Sequence, residues 1–410
     1  MRKFPFRLSI LQLVSVALLL LLGMVSISAC SAFANPLSLT QELPTLQAII
    51  PFENPYLIPE YVSVIPGGYA YVVEEHGAII ILDGTEQVAV IPPLSGERSF
   101  GYHQAVVIHP ETRVGYLANS HTDNYYIIHG TELITTVRNI GDAPHSVSIN
   151  PTTGLIYIAN SLDPLGITIL KGTEVITRLA TTFPKVITAD PNSAKVYVGQ
   201  DIVRSSPSKA QGLLAVIDET KLITLTNLGY EQEKPDADGD INNIAIDRNS
   251  GEIYMIRNLS TIVYLAKGRS KILKLGGMGY TGLHDIAIDP NRGLAYVSSW
   301  GNPQSHVVVL SHGELLTALP TGQDPRAIVY DKTHDYVYVV NRLSHSLSVI
   351  RNTEVITTIE ARGNPWDIGV DETRGYIYLA NPDSHNITVF GFASEIKARS
   401  FWDFLPFVNK

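Results

Sequence analysis

One cysteine, Cys30, is all that 410 residues contain, so an internal disulfide, a thiolate metal cage and a covalently attached c-type haem are excluded. A large class of electron-transfer readings goes with them. GxSxG and P-loop segments are also missing, which leaves the standard hydrolase and P-loop nucleotide chemistries without their motifs. The twelve histidines include no HExxH and no pair at a fixed short interval on one strand. Cations are in the minority: 30 Lys and Arg face 39 Asp and Glu, a formal charge of −9. A surface that acidic repels phosphate backbones, so nucleic acid is not an expected partner.

The amino terminus reads MRKFPFRLSILQLVSVALLLLLGMVSISACSAFA, with Arg2, Lys3 and Arg7 ahead of an apolar run and Ile27-Ser28-Ala29 ahead of Cys30. This is the pattern of an export signal. Its end resembles the bacterial lipobox, which implies lipidation of Cys30 and a membrane anchor on the extracytoplasmic side. Two or more acyl chains hold stably at about 0.8 kcal/mol per buried methylene. The alternatives are cleavage after Ala34, giving a soluble secreted protein, or an uncut helix.

What is abundant is a repeated phrase. INPTTGLIYIANS (149–161) returns as IHPETRVGYLANS (108–120), ADPNSAKVYVGQD (189–201), IDPNRGLAYVSSW (288–300), YDKTHDYVYVVNR (330–342) and VDETRGYIYLANP (370–382). Each unit divides into four short runs rich in β-branched and aromatic residues, bounded by turn chemistry, which predicts four strands. Pairs such as Asp83-Gly84, Lys171-Gly172, His312-Gly313 and Arg351-Asn352 supply the positive φ of a two-residue hairpin between the third and fourth runs. An anchor tyrosine recurs at Tyr71, Tyr116, Tyr157, Tyr197, Tyr254, Tyr296, Tyr338 and Tyr378. Length alone would allow two or three domains. Eight restarts of a four-strand phrase instead predict one all-β toroid, a β-propeller of about eight four-stranded blades with seven as the alternative.

The last unit has three strands, and residues 46–50 read like the missing fourth; pairing them with the strand around Thr388 would close the ring. The expected layout is a leader over 1–29, an anchor and linker over 30–44, the propeller over 45–390 and an apolar tail over 391–410.

The phrases YLANS, YIANS, YVVN and YLAN, with their G-x-x-P lead-in, resemble the YVTN-type β-propeller family of bacterial and archaeal surface and periplasmic proteins. The likeness covers about residues 45–390 and implies the fold; the family's repeated residues are structural, and its members do many things.

Function is therefore sought in what varies. Directly after the residue that opens the first strand, a proline in four of seven units, stand Gln104, His145, Lys185, Asn242, His284, Arg326 and Trp366, none of them aliphatic. First strands line a propeller's channel, so these form a polar and cationic ring at its mouth, the best binding-site candidate in the chain. A second ring closes the second strands: Glu74, Asn119, Asn160, Gln200, Arg257, Ser299, Asn341 and Asn381. It is read either as part of the same funnel or as caps for the strand ends. His103, His145 and His284 approach the mouth as conceivable metal ligands. Asp236, Asp238 and Asp240 lie in a lengthened loop whose spacing resembles a calcium site, but Ile241 stands where that loop needs glycine.

The favoured function is non-catalytic binding through the funnel face. The alternatives are a propeller enzyme of the lactonase, lyase or quinoprotein kind, with His145 or His284 as base and Arg326 stabilising an oxyanion, and a structural surface-layer protein.

Overall fold

The computed structural model describes residues 42–395 apart from 53, 55, 56, 76, 93–105, 120–122, 139, 164, 201–210, 231–240, 258, 259, 268, 302 and 303. Outside them fall the leader, Cys30, His103, Gln104, the aspartates Asp236, Asp238 and Asp240, and the tail after residue 395.

The strands form eight four-stranded antiparallel sheets, each a simple meander, arranged as a propeller. Blades one to eight have the inner strands Pro59–Val64, Val106–Ile108, Pro144–Ile149, Pro184–Ala189, Ile241–Ile246, Leu283–Asp289, Pro325–Asp331 and Asp367–Asp371. Each inner strand packs beside the next, and the eighth packs beside the first. Closure runs as the sequence suggests: Thr45–Pro51 pairs antiparallel with Asn386–Gly391, placing Ile49 opposite Thr388 and completing blade eight. Covering that edge leaves the ring no inner seam open to strand addition.

The core lies between blades, where the second and third strands are buried on both faces. Anchor tyrosines sit in these layers and reach across them. The hydroxyls of Tyr71, Tyr157 and Tyr296 each donate to a backbone carbonyl in the outer hairpin of the following blade, at Gly130, Glu219 and Asn352, all at 2.9 Å. Burial pushes Tyr71 and Tyr157 up to about 12, so they remain donors. In these three units the recurring tyrosine is thus a blade-to-blade latch, whereas the hydroxyls of Tyr338 and Tyr378 reach no such carbonyl among the described residues.

The hairpins carry the expected positive φ, at Gly84 (60°), Gly172 (59°) and Asn352 (53°), but these are the first of the two loop residues, with Thr85, Thr173 and Thr353 second. The turn between the first and second strands is led by Asx. Asn150 Oδ1 accepts from the backbone of Thr152 and Thr153 at 2.9 and 3.1 Å, and Asp331 and Asp371 accept from their equivalents. Blade four owes its longer spacing partly to longer outer strands, Gln211–Asp218 and Lys221–Tyr230.

Candidate functional site

The mouth is built by a break in the sheet. The opening residue of the inner strand pairs with the last residue of the second strand, as Pro144 with Asn160 and Pro325 with Asn341, and the register then slips. The slip leaves His145, Lys185, Asn242 and Arg326 inside bulges. A bulge turns a side chain off the sheet's regular alternation, and here it places the ring residues half-buried at the channel end. Glu60 is the corresponding residue of blade one and belongs to the same ring.

The second ring does not share the mouth. Glu74, Asn119, Asn160, Gln200, Arg257, Ser299, Asn341 and Asn381 are all at most 2% exposed, so the funnel reading of these residues is corrected. The asparagines cap blade ends from within: Asn160 Nδ2 donates to Thr168 Oγ1 (3.0 Å) and Ile140 O (3.2 Å), and Asn381 Nδ2 donates to Thr388 Oγ1 (3.0 Å). A side chain on Gly363 would collide with Asn381, which explains the glycine of the lead-in: the loop closes directly over the cap.

One residue further into the inner strand, polar side chains recur. Asp285 and Asp367 stand there, with Asn243 and Ser146 at equivalent positions. An inner strand has a free edge toward the next blade, and these side chains satisfy it. Asp285 Oδ2 accepts from Ile328 N of blade seven (3.0 Å), Asp367 Oδ2 from Val62 N of blade one (2.8 Å), and Ser146 Oγ from Ile187 N of blade four (3.3 Å). Asn243 Nδ2 adds 2.7 Å to Asp285 Oδ1. Burial raises both carboxyls, Asp367 to about 7, and the charge of Asp285 adds to the rise at Asp367.

Ring members meet in two places. His145 Nδ1 donates to Lys185 O at 2.8 Å, linking blades three and four through backbone. Arg326 of blade seven lies over the indole of Trp366 of blade eight, 4.9 Å from its centroid. Arg342, at the end of blade seven's second strand, covers the same ring from 5.2 Å. Both guanidiniums also pair with Asp324, through Nε at 2.9 and 2.8 Å. Sequence reasoning missed Arg342, Asp324 and Trp300. Its signal was available at the position after the second-strand cap, which reads Glu75, Ser161, Trp300, Arg342 and Pro382 in five units.

These residues border a cleft of about 610 Å³ between blades six and seven, lined by Trp300, Asp324, Arg326, Arg342, Leu343, Gln304 and Gln323 among others. Trp300 is held at its rim because Gly282, at φ 63°, has no Cβ where the indole lies. Asp324 is nearly buried while Trp300 and Leu343 are exposed. The cleft therefore joins a cationic floor to an apolar wall. His145 and His284 are not among its lining residues. No group of three His, Cys, Asp or Glu among the described residues is placed to hold a metal ion.

No protein-family model matches the chain, and no curated protein matches it in sequence. Solved structures do. Hydrazine synthase of Kuenenia stuttgartiensis aligns over 84% of this chain and 97% of its own, at 14% identity and a TM-score of 0.54. A catalytically inactive virginiamycin B lyase from Staphylococcus aureus, solved with quinupristin, covers 85% of this chain and 100% of its own at 11% identity and 0.53. The WD40 propeller domain of Doa1 covers 86% and 99% at 11% identity and 0.52. At such identities the likeness concerns architecture alone, and what it establishes is that this chain is an eight-bladed β-propeller.

Proposed function

We propose that the chain is an exported, lipid-anchored and non-catalytic β-propeller of the YVTN type that binds a ligand at the mouth, in the cleft between blades six and seven. The leader ending at Cys30 supports export and anchoring. The repeat phrases support the family. The binding reading rests on one observation: a cleft of about 610 Å³ with Arg326 and Arg342 at its base and Trp300 at its rim. That volume lies within the range of small-molecule sites, which are concave, largely apolar and carry a few convergent polar groups.

The cleft residues come from the variable positions of the repeat, while the repeated residues are occupied in holding blades together. Two of the three tryptophans, Trp300 and Trp366, stand at the mouth, so intrinsic fluorescence reports on it. The test is a fluorescence screen of full-length protein against fractionated growth medium. Saturable quenching that Trp300→Ala abolishes is the expected result. Turnover of a lactone or sugar acid that depends on His284 would replace this reading with the enzymatic one.

A further inference from the structure

The arginine pair at the mouth has more donors than its one carboxylate takes up. Arg326 and Arg342 each direct Nε at Asp324, and the approach is ionic rather than along the hydrogen-bond line. A bidentate fork to the carboxylate would occupy the Nη edges. Here no hydrogen bond reaches those edges among the described residues. Two cations opposite one carboxylate also leave a positive excess, in a chain whose formal charge is −9. Both guanidiniums also lie over the Trp366 ring, 4.9 and 5.2 Å from its centroid, which holds them in place. Asp324 is in turn fixed, since its backbone N–H donates to Ser305 Oγ at 3.2 Å and its carbonyl accepts from Arg342 N at 3.0 Å. The pair is preorganised for a further anion, because neither arginine needs to abandon Asp324 to receive one.

The walls narrow the class of that anion. Trp300 (45% exposed) and Leu343 (57% exposed) offer apolar surface on the same cleft. An inorganic anion would leave both in water.

We propose that the cleft takes a monocarboxylate carried on an apolar body, with the carboxylate on the Nη edges of Arg326 and Arg342 and the body against Trp300 and Leu343. Guanidinium edges match a planar carboxylate in geometry, and the single excess charge matches a monoanion better than a phosphate dianion. A free aryl or acyl acid and the terminal carboxylate of a peptide share this chemistry. The inference rests on the cleft being the binding site, and the test separates the two claims.

Isothermal titration of the full chain uses phenylacetate, phenylacetamide, phenyl phosphate, and N-acetyl-alanyl-phenylalanine with a free or amidated carboxyl end. One of the two acids is expected to bind saturably, and its amide about 10- to 100-fold more weakly. Whichever acid binds tighter, the small one or the peptide, identifies the source. Arg342→Gln should erase the preference for acid over amide; should that variant fold poorly, the comparison of acid with amide in the wild type stands alone. Acid and amide binding alike, with Trp300→Ala weakening both, would overturn the carboxylate assignment and leave the cleft as a binding site. Phenyl phosphate binding tighter than either acid would overturn the monoanion assignment. Silence from both acids up to about 1 mM, or binding indifferent to Trp300→Ala and Arg342→Gln, would overturn the inference, and the indifference would sink the binding reading with it.

Discussion

The two ends of the inner strands obey opposite rules. At one end, six blades finish in the same Asx turn, with Asn150, Asp190, Asp247, Asp289, Asp331 and Asp371 each accepting from the backbone two residues on. At the other, the bulge residues His145, Lys185, Asn242 and Arg326 have nothing in common but their place. A residue repeated around a ring answers a need that every blade has, namely satisfied backbone and a packed interface. A residue that differs answers a need of one sector only. That contrast assigns stability to the repeated end and leaves the variable one as the place of the proposed recognition.

The contrast predicts unequal costs. Tyr296→Ala removes a fully buried ring and its latch to Asn352, and should cost about 3 to 5 kcal/mol in denaturant unfolding. Tyr296→Phe keeps the ring and loses only the hydrogen bond, about 1 kcal/mol. Between them falls Asp331→Ala, which deprives the backbone N–H groups of Thr333 and His334 of their acceptor, for about 2 to 3 kcal/mol. An Asp331→Ala protein that melts like the wild type would break the assignment of structure to the Asx end.

A pH titration of stability sharpens the comparison at the channel. Asp367 has a folded pKa of about 7, raised by burial above its unfolded value near 4. Between those values the folded state holds the proton more tightly. This group's contribution is therefore full below about pH 4 and is lost as pH rises toward 7. Asp367→Asn keeps an oxygen acceptor for Val62 N. It should abolish that slope, so that the variant melts higher than the wild type at pH 8 and the gap closes toward pH 4. A gap independent of pH would show that the buried carboxyl does not titrate as its surroundings demand. The smallest stability effect is expected at the rim: Trp300→Ala should stay within about 0.5 kcal/mol of wild type while weakening any ligand of the cleft.

Most of the fold was legible because its causes repeat. Strand alternation, the hairpin pairs and the restarting phrase gave the blades, and the orphan strand at 46–50 gave the closure. The site was legible only in outline. Arg326 and Trp366 were found as ring members, but nothing linear says that Arg326 of one blade lies over Trp366 of the next. Arg342 and Trp300 share one register position, after the second-strand cap, which the alignment on the opening proline passed over. The caps were legible only as one of two readings: Asn160 and Asn381 pass equally for polar mouth residues until the glycine-led loops are seen closing over them.

The central claim is that the variable end can be altered for recognition without touching the fold. A calorimetric titration of Arg342→Gln with the tighter-binding acid, alongside its thermal melt, tests it most directly. The account predicts a melt close to wild type and an affinity lowered about 10- to 100-fold. Unchanged affinity, or a loss of binding that merely follows a collapse in the melt, would contradict it.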